Sequence, residues 1–315
     1  MNAAISQCGP RSGGALEGGD GAGTRPLLSI IVNFYNMRRE AARTLFTLSA
    51  AYQRGVDASS YEVIAVDNGS DDPLSPGEVE AFGPNFRLRS LPPGSPSPCA
   101  AINDAVAASR GEFVMVCIDG ARMLSPGVLR QAMTALSIYP NVFVYTLGMH
   151  LGHKPQNELV EEGYDQRAED RLLDALDWRA DGYGLFSISS VAYSSRTGFL
   201  SDLSESNCFA LRRDDFDALG GFDEGFRSEG GGLANLDFFN RANEVEHIRP
   251  IMLLGEATFH QFHHGVASNV PRREHPWDTM AAEYAELRGR PFASVRRQAE
   301  YFGWLSREHH ARLLA

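Results

Sequence analysis

Cysteine is sparse in this chain. Cys8, Cys99, Cys117 and Cys208 are scattered over 315 residues with no C-x-x-C spacing, so they read as ordinary reduced thiols of a cytosolic protein rather than a disulfide framework. Positive charge is also in deficit. Lys and Arg number 29 against 40 Asp and Glu, a net charge of −11, which argues against a nucleic-acid surface built on clustered cations. A single nucleotide is not excluded, because one metal ion can neutralise its diphosphate. No apolar run approaches the ~18 residues of a membrane span. The opening "MNAAISQCGPRSGGALEGGDGAGTRP" has neither a basic n-region nor an apolar h-region and is not a signal peptide; its Gly-rich composition predicts a disordered leader over 1–26. The G-x-S-x-G and P-loop patterns are absent and no Ser-His-Asp order stands out, which leaves hydrolase and ATPase readings without support.

What is present is a core. At 43% hydrophobic content the chain is long enough for one large α/β domain. Leu27 to Val32 is a continuous apolar run, as a parallel strand buried on both faces requires. Arg38 to Gln53 follows as a helix with Ala42, Leu45, Phe46, Leu48 and Ser49 near one side. "YEVIAVDNGSDD" is a second strand with an acidic turn, "FRLRSLP" a third, "CAAINDAVAASRG" a helix of small residues, and "EFVMVCIDG" a fourth strand ending in Asp-Gly. Ser125-Pro126 is expected to open another helix as N-cap and first position. This alternation predicts a doubly wound, mostly parallel mixed sheet flanked by helices, whose ligands sit beyond the carboxyl ends of the strands, where Asp67 and Asp119 lie.

Residues 151–206 are more irregular, with one helical stretch near 169–176, and loops of that length are usually functional. "NCFALRRDDFDALGGFDEGF" gives a strand, a helix and a Gly-Gly turn; "GGGLANLDFFNRANE" enters a helix; "PIMLLG" is a strand that "ATFHQFHHG" extends. From Pro276 the pattern reads as helical. Its Arg content and Phe292, Tyr301, Phe302 and Trp304 suit peripheral membrane contact, packing on its own domain, or a homodimer contact.

In this order the segments resemble the GT-A glycosyltransferases of family 2, over roughly residues 27–265. "SIIVNFYNMRREAARTLFTL" looks like the family's first strand, turn and helix, and "EVIAVDNGSDD" like its second strand. "AINDAVAASRGEFVMVCIDGARMLSPGVL" is similar to its metal-motif region, and "FALRRDDFDALGGFDEGF" with "LDFFNR" to its acceptor side. The resemblance implies a GT-A domain over 27–268, with a nucleotide-sugar half to residue 122 and an acceptor half from 123, followed by a helical extension over 269–315.

It also implies an inverting transferase that moves a sugar from a nucleotide-diphosphate sugar (a UDP-sugar first, GDP- or dTDP-sugars as alternatives) to a glycan, lipid-linked sugar or small hydroxyl acceptor. Such an enzyme works with Mn²⁺ or Mg²⁺ in the cytoplasm or at the inner face of the membrane. Asp67 would meet the base, and Asn33, Tyr35, Asn36, Asn103, Asp119, Gly120 and Arg122 would line the donor pocket. Here the chain departs from the family's Asp-x-Asp: Ala121 takes the place of the second acid. Asp119 then binds metal with help from elsewhere, or Arg122 partly replaces the cation. "FHQFHH" offers the help, since imidazole suits Mn²⁺. Strand alternation puts His260 and His263 on opposite faces unless the chain turns; His263 is the first candidate ligand and His260 the second. A second departure lies at the family's catalytic acids, where Ala234 and Asn235 stand. Asp237 and Glu229 remain as candidate bases, Asp237 with a rival role as a salt-bridge partner of Arg241. The thinned acids keep a second reading open, a nucleotide-sugar-binding protein with weakened catalysis; a nucleotidyltransferase ranks last, because no Gly follows the first strand.

Overall fold

The computed structural model describes residues 26–305; the leader up to residue 25, with Cys8, and the last ten residues lie outside that range. Ten strands form one sheet among the described residues. In chain order the elements are β1 (Leu28–Phe34), α1 (Arg38–Leu48), β2 (Tyr61–Asp67), α2 (Pro76–Glu80), β3 (Phe86–Ser90), α3 (Cys99–Ala107), β4 (Phe113–Cys117), β5 (Arg122–Leu124), α4 (Val128–Ile138), β6 (Val142–Leu151), α5 (Gln156–Leu159), α6 (Gln166–Asp174), β7 (Ser189–Val191), β8 (Cys208–Arg212), α7 (Arg213–Ala218), α8 (Ala234–Glu244), β9 (Arg249–His260), α9 (Trp277–Arg288) and β10 (Glu300–Gly303). The spatial order is β10-β9-β6-β8-β4-β1-β2-β3, with β5 added to β9 and β7 to β6.

β3, β2, β1 and β4 are parallel, β8 runs antiparallel between β4 and β6, and β6, β9 and β10 are parallel again. The carboxyl ends of β1, β2, β4, β6 and β9 therefore share one edge with the amino end of β8. Both faces are packed, which is why the first strand is apolar apart from Ser29 and Asn33. Ile30 and Val32 face Leu45 and Leu48 of α1 and Leu129 and Ala132 of α4. Ile31 faces the layer of Ile102 and Val106 on α3 with Phe238 and Phe239 on α8.

Three local expectations need correction. The first helix stops at Leu48, because the Ser49 hydroxyl takes the Phe46 carbonyl and the chain turns, leaving Gln53 to bond Thr47, Ser125 and Leu129. Ser125 is not a helix cap: α4 starts after Gly127, and the Ser125 hydroxyl donates to buried Glu256 and accepts from Ala257 N on β9. Among the described residues of the expected helical extension, the one α-helix runs from Trp277 to Arg288. Gly289, at φ +65°, ends it, and Pro291 follows. Residues 289–299 then run as a strap tied to α8, with Val295 N donating to Asn240 and Arg297 to the carbonyls of Val245 and Ile248. Of the four aromatics suited to membrane contact, packing on the chain's own domain or a homodimer contact, Phe292 packs on Trp277 and Tyr284, and Phe302 enters a strand. Among the described residues no helix is long and apolar enough to cross a membrane. Cys99, Cys117 and Cys208 are buried free thiols.

Candidate active site and cation centre

Asp119 leaves the carboxyl end of β4, and its Oδ1 accepts from Ala121 N, a short turn that aims the carboxylate back over the sheet. Gly120 in that turn has a steric reason for being glycine: a Cβ there would stand 2.3 Å from the Phe34 ring and 2.5 Å from the Asn33 carbonyl. The chain then re-enters the sheet as β5, whose register with β9 sets Arg122 opposite His260. His260 is also opposite His150 on β6, and His150 opposite Ser190 on β7. Cross-strand partners share a face, so Ser190, His150, His260 and Arg122 form one polar row across four strands.

His260 and His263 do converge. The strand ends at His260, and the next three residues turn back, with His264 in the left-handed region at φ +64°. That turn is the exception to strand alternation that lets the two rings approach one another. Asn269 holds it, its Oδ1 accepting from the amides of His263 and Gly265, while Phe262 N donates to buried Glu169. Gly265 clears the His263 ring, which a Cβ would approach to 2.8 Å. The result is that His260 Nε2 lies 3.0 Å from Asp119 Oδ2 and 3.1 Å from His263 Nε2, with His263 Nε2 3.8 Å from Asp119 Oδ1.

The tautomer of His260 follows from its neighbours. Gln156 donates its Nε2 to the carbonyls of Leu151 and His260, and its Oε1 accepts from Asn269, so Oε1 is the atom that faces His260 Nδ1 at 2.7 Å. His260 therefore carries its proton on Nδ1 and turns a bare Nε2 toward Asp119. Burial keeps that imidazole neutral, lowering its pKa to about 4, and lowers those of His263 and His150 as well. Burial works the other way on Asp119, but positive charge beside it, from His260 and His263 when they are protonated and from Arg122 always, outweighs burial and holds the carboxyl well below its ordinary range. One carboxylate and two imidazole lone pairs thus converge without a proton between Asp119 and His260. Donors bound at right angles about 2.1 Å from a divalent ion stand about 3 Å apart, so the set fits such an ion. It is the one such cluster among the described residues.

Arg122 is the fixed cation beside this cluster. Its Nε is 3.2 Å from Asp119 Oδ2, and its buried Nη1 has no protein partner. Ser190 Oγ, Thr258 Oγ1 and Asn33 Oδ1 are likewise buried without a partner. Native proteins seldom leave such atoms unpaired; these four lie near the carboxyl ends of β1, β6 and β9, while others, such as Arg87 Nε on β3 and Asp215 Oδ2 on α7, lie elsewhere. His150 and Ser190 escaped the sequence reading. The one available signal was a histidine in an otherwise apolar strand, "VFVYTLGMHL".

The remaining candidates are spread along the same edge with different duties. Asn36, at φ +54°, and Asp71 exchange hydrogen bonds, and Asn36 N donates to Ser70; Tyr35 beside it is half-buried. Asp67 is buried, its two oxygens accepting from the amides of Ser70 and Leu74, so it shapes the turn beyond β2. Asn103 is not beside the donor side: its amide clamps Phe222 N and O and reaches Glu224. Asp237 is buried on α8 and accepts from Arg241 Nε at 2.8 Å and from Arg288 Nε and Nη2 at 2.6 and 2.8 Å. Glu229 is exposed on the turn before the three glycines.

A parallel half joined to a mixed half in one mostly parallel sheet flanked by helices is the architecture of a GT-A glycosyltransferase. The family model for glycosyl transferase family 2 matches residues 29–197, more than half of the chain, and the chain belongs to that family. TarS of S. aureus, residues 1–349 with UDP, superposes with a TM-score of 0.51 at 17% identity, over 74% of this chain and 60% of that one. The same TarS fragment with UDP-GlcNAc gives 0.50 at 15% identity, over 82% and 66%. This chain thus spans less than two thirds of either structure. No curated protein matches it in sequence.

Proposed function

We propose that this glycosyltransferase moves a sugar from a nucleotide-diphosphate sugar to a hydroxyl acceptor, by in-line attack with inversion, and that Asp119, His260 and His263 hold a divalent cation for the diphosphate. The observation that carries the cation is the convergence of three lone-pair donors within 4.8 Å of one another. Two imidazoles beside one carboxylate favour Mn²⁺ over Mg²⁺. Bound there, the ion supplies positive charge against the charge developing on the leaving diphosphate. Arg122 adds a second, permanent charge through its unpartnered Nη1. Asn33 offers a buried amide oxygen to the donor, while Tyr35, Asn36 and the turn that Asp67 holds supply the wall for base and ribose. The acceptor, a glycan or small hydroxyl compound, enters over 151–206. Three buried free thiols suit a reducing, cytoplasmic setting.

A thermal-shift panel of UDP-, GDP- and dTDP-sugars with and without Mn²⁺ tests this. Ligand at 100 times its Kd adds about 2.7 kcal/mol to the stability of the native state. One donor is expected to raise the melting temperature by several degrees only when Mn²⁺ is present, and His263→Ala to remove that dependence. No stabilisation by any donor with Mn²⁺ rejects the reading. A second reading, donor binding without transfer, draws on Ala121, Ala234 and Asn235 standing where acids would be; metal-dependent binding with no sugar transfer to any acceptor would establish it.

A further inference from the structure

Transfer needs a group to take the acceptor's proton, and the two sequence candidates are badly placed for it. Asp237 gives its oxygens to two guanidinium groups, and Glu229 is exposed. We propose, on the footing of the transferase reading above, that Glu205 is the catalytic carboxylate.

Glu205 lies three residues before β8. The pairing of β8 with β4 continues one residue past Cys117 and Cys208, where Ile118 N donates to Asn207 O at 3.3 Å. Ser206 is pinned there, its hydroxyl 2.9 Å from Thr146 O and 2.8 Å from Cys208 O. The half-buried Glu205 side chain therefore leaves the chain at the edge of the sheet from which Asp119 also emerges. From the other side comes α8. Asn235, in its first turn, donates Nδ2 to Glu205 Oε2 at 3.2 Å, and its own buried Oδ1 has no partner.

The glycine loop ahead of α8 bonds the Pro96 carbonyl through Gly230 N. The carbonyls of Ser95 and Ser97 in that same loop receive the amide of Asn68, next to Asp67. Glu205 and Asn235 thus meet where the donor half and the acceptor loops adjoin. Among the described residues no ion pair engages Glu205, and its one hydrogen-bond partner is neutral. A carboxylate so held keeps a lone pair for a hydroxyl proton, unlike one locked between arginines. Asn235 Oδ1 stands free beside it to accept from a second acceptor hydroxyl.

In the proposed step the acceptor oxygen forms its bond to the anomeric carbon as the bond from that carbon to the diphosphate oxygen breaks. The electron pair of the broken bond stays with the departing nucleoside diphosphate. The acceptor proton passes to Glu205, which later returns it to water.

Glu205→Gln keeps the size and the Asn235 contact but removes the base; Glu205→Asp keeps the acid and shortens its reach. Each is compared with the wild type in two assays. One is Mn²⁺-dependent binding of the UDP-, GDP- and dTDP-sugar panel by calorimetry. The other is release of nucleoside diphosphate with water and a set of hydroxyl compounds as acceptors. Donor affinity of Glu205→Gln is expected to stay within about twofold while release falls by about 100-fold or more, with Glu205→Asp between the two. Release by Glu205→Gln within about threefold of wild type overturns the assignment and leaves the transferase reading standing. Donor binding by the wild type with no release to any acceptor also overturns it, since no proton is then transferred. A wild type that binds no donor takes down the transferase reading itself, and this inference with it.

Discussion

Asp237 and Glu205 are both carboxylates near the start of α8, and their surroundings assign them opposite work. Asp237 is buried and shares three charge-assisted hydrogen bonds with Arg241 and Arg288, the latter also held by Asp223. Removing one member of such a buried set leaves the others charged and uncompensated, so Asp237→Ala should cost about 3 kcal/mol of stability, read from denaturant midpoints. Mn²⁺-dependent donor affinity and turnover should be nearly unchanged. A stably folded Asp237→Ala that loses turnover a hundredfold would return the proton to Asp237 and take it from Glu205. At this scale the sequence exposes residue types but not neighbours. Asp119, His260 and His263 could be named as candidate ligands because carboxylate and imidazole are suitable chemistry, and the structure brings the three together. Glu205 could not, because what distinguishes it is Asn235, thirty residues away, and Arg288 could not be seen to claim Asp237 from fifty-one residues away.

The elements around Asp119, His260 and His263 are held by a buried acid. Glu169 on α6 accepts Phe262 N and faces Arg39 and Arg43 from α1, with Glu40 nearby, so it anchors the turn that swings His263 toward His260. Burial, outweighing the Phe262 amide and the two arginines, pushes its carboxyl up from 4.5 to about 7. The folded chain therefore holds this proton more tightly than the unfolded one. The contribution is complete below about pH 4.5 and is lost as the pH rises through 7, up to about 3 kcal/mol at 1.36 kcal/mol per unit. Glu169→Gln, neutral throughout, should flatten the decline of stability between pH 5 and 7 in urea melts taken at several pH values; an unaltered slope would remove Glu169 as its cause. The turn was partly legible: a Gly after paired histidines marks a chain reversal, yet only Asn269 and Glu169, both distant from the strand, decide which way the rings face.

Across the whole molecule, the part legible from sequence is the part whose burial is local in pattern. β1, β2 and β4 are buried on both faces and read as apolar runs, with helices of clear periodicity between them. β10 has no such pattern. Its four residues, "EYFG", become a strand because Ile251–Leu254 of β9 present an open edge at that point, while β5 covers the same edge beside His260. Long-range pairing of this kind outweighs local propensity. The two short strands thus divide one edge of β9 between a structural stretch and a functional one, which can be separated experimentally. Ending the chain after Ala299 would bare the β9 edge at 251–254 and remove the contacts of Phe302 with Tyr139 and of Trp304 with Arg130. Loss of a partly buried aromatic anchor and four paired residues should lower stability by about 2 kcal/mol. The exposed edge should also promote self-association, visible in size-exclusion chromatography. Mn²⁺-dependent donor binding should survive, because β5 still holds the end of β9 where His260 sits. Loss of metal-dependent binding in a folded, shortened chain would mean that the register at His260 depends on the whole edge, and that β5 alone does not fix the site.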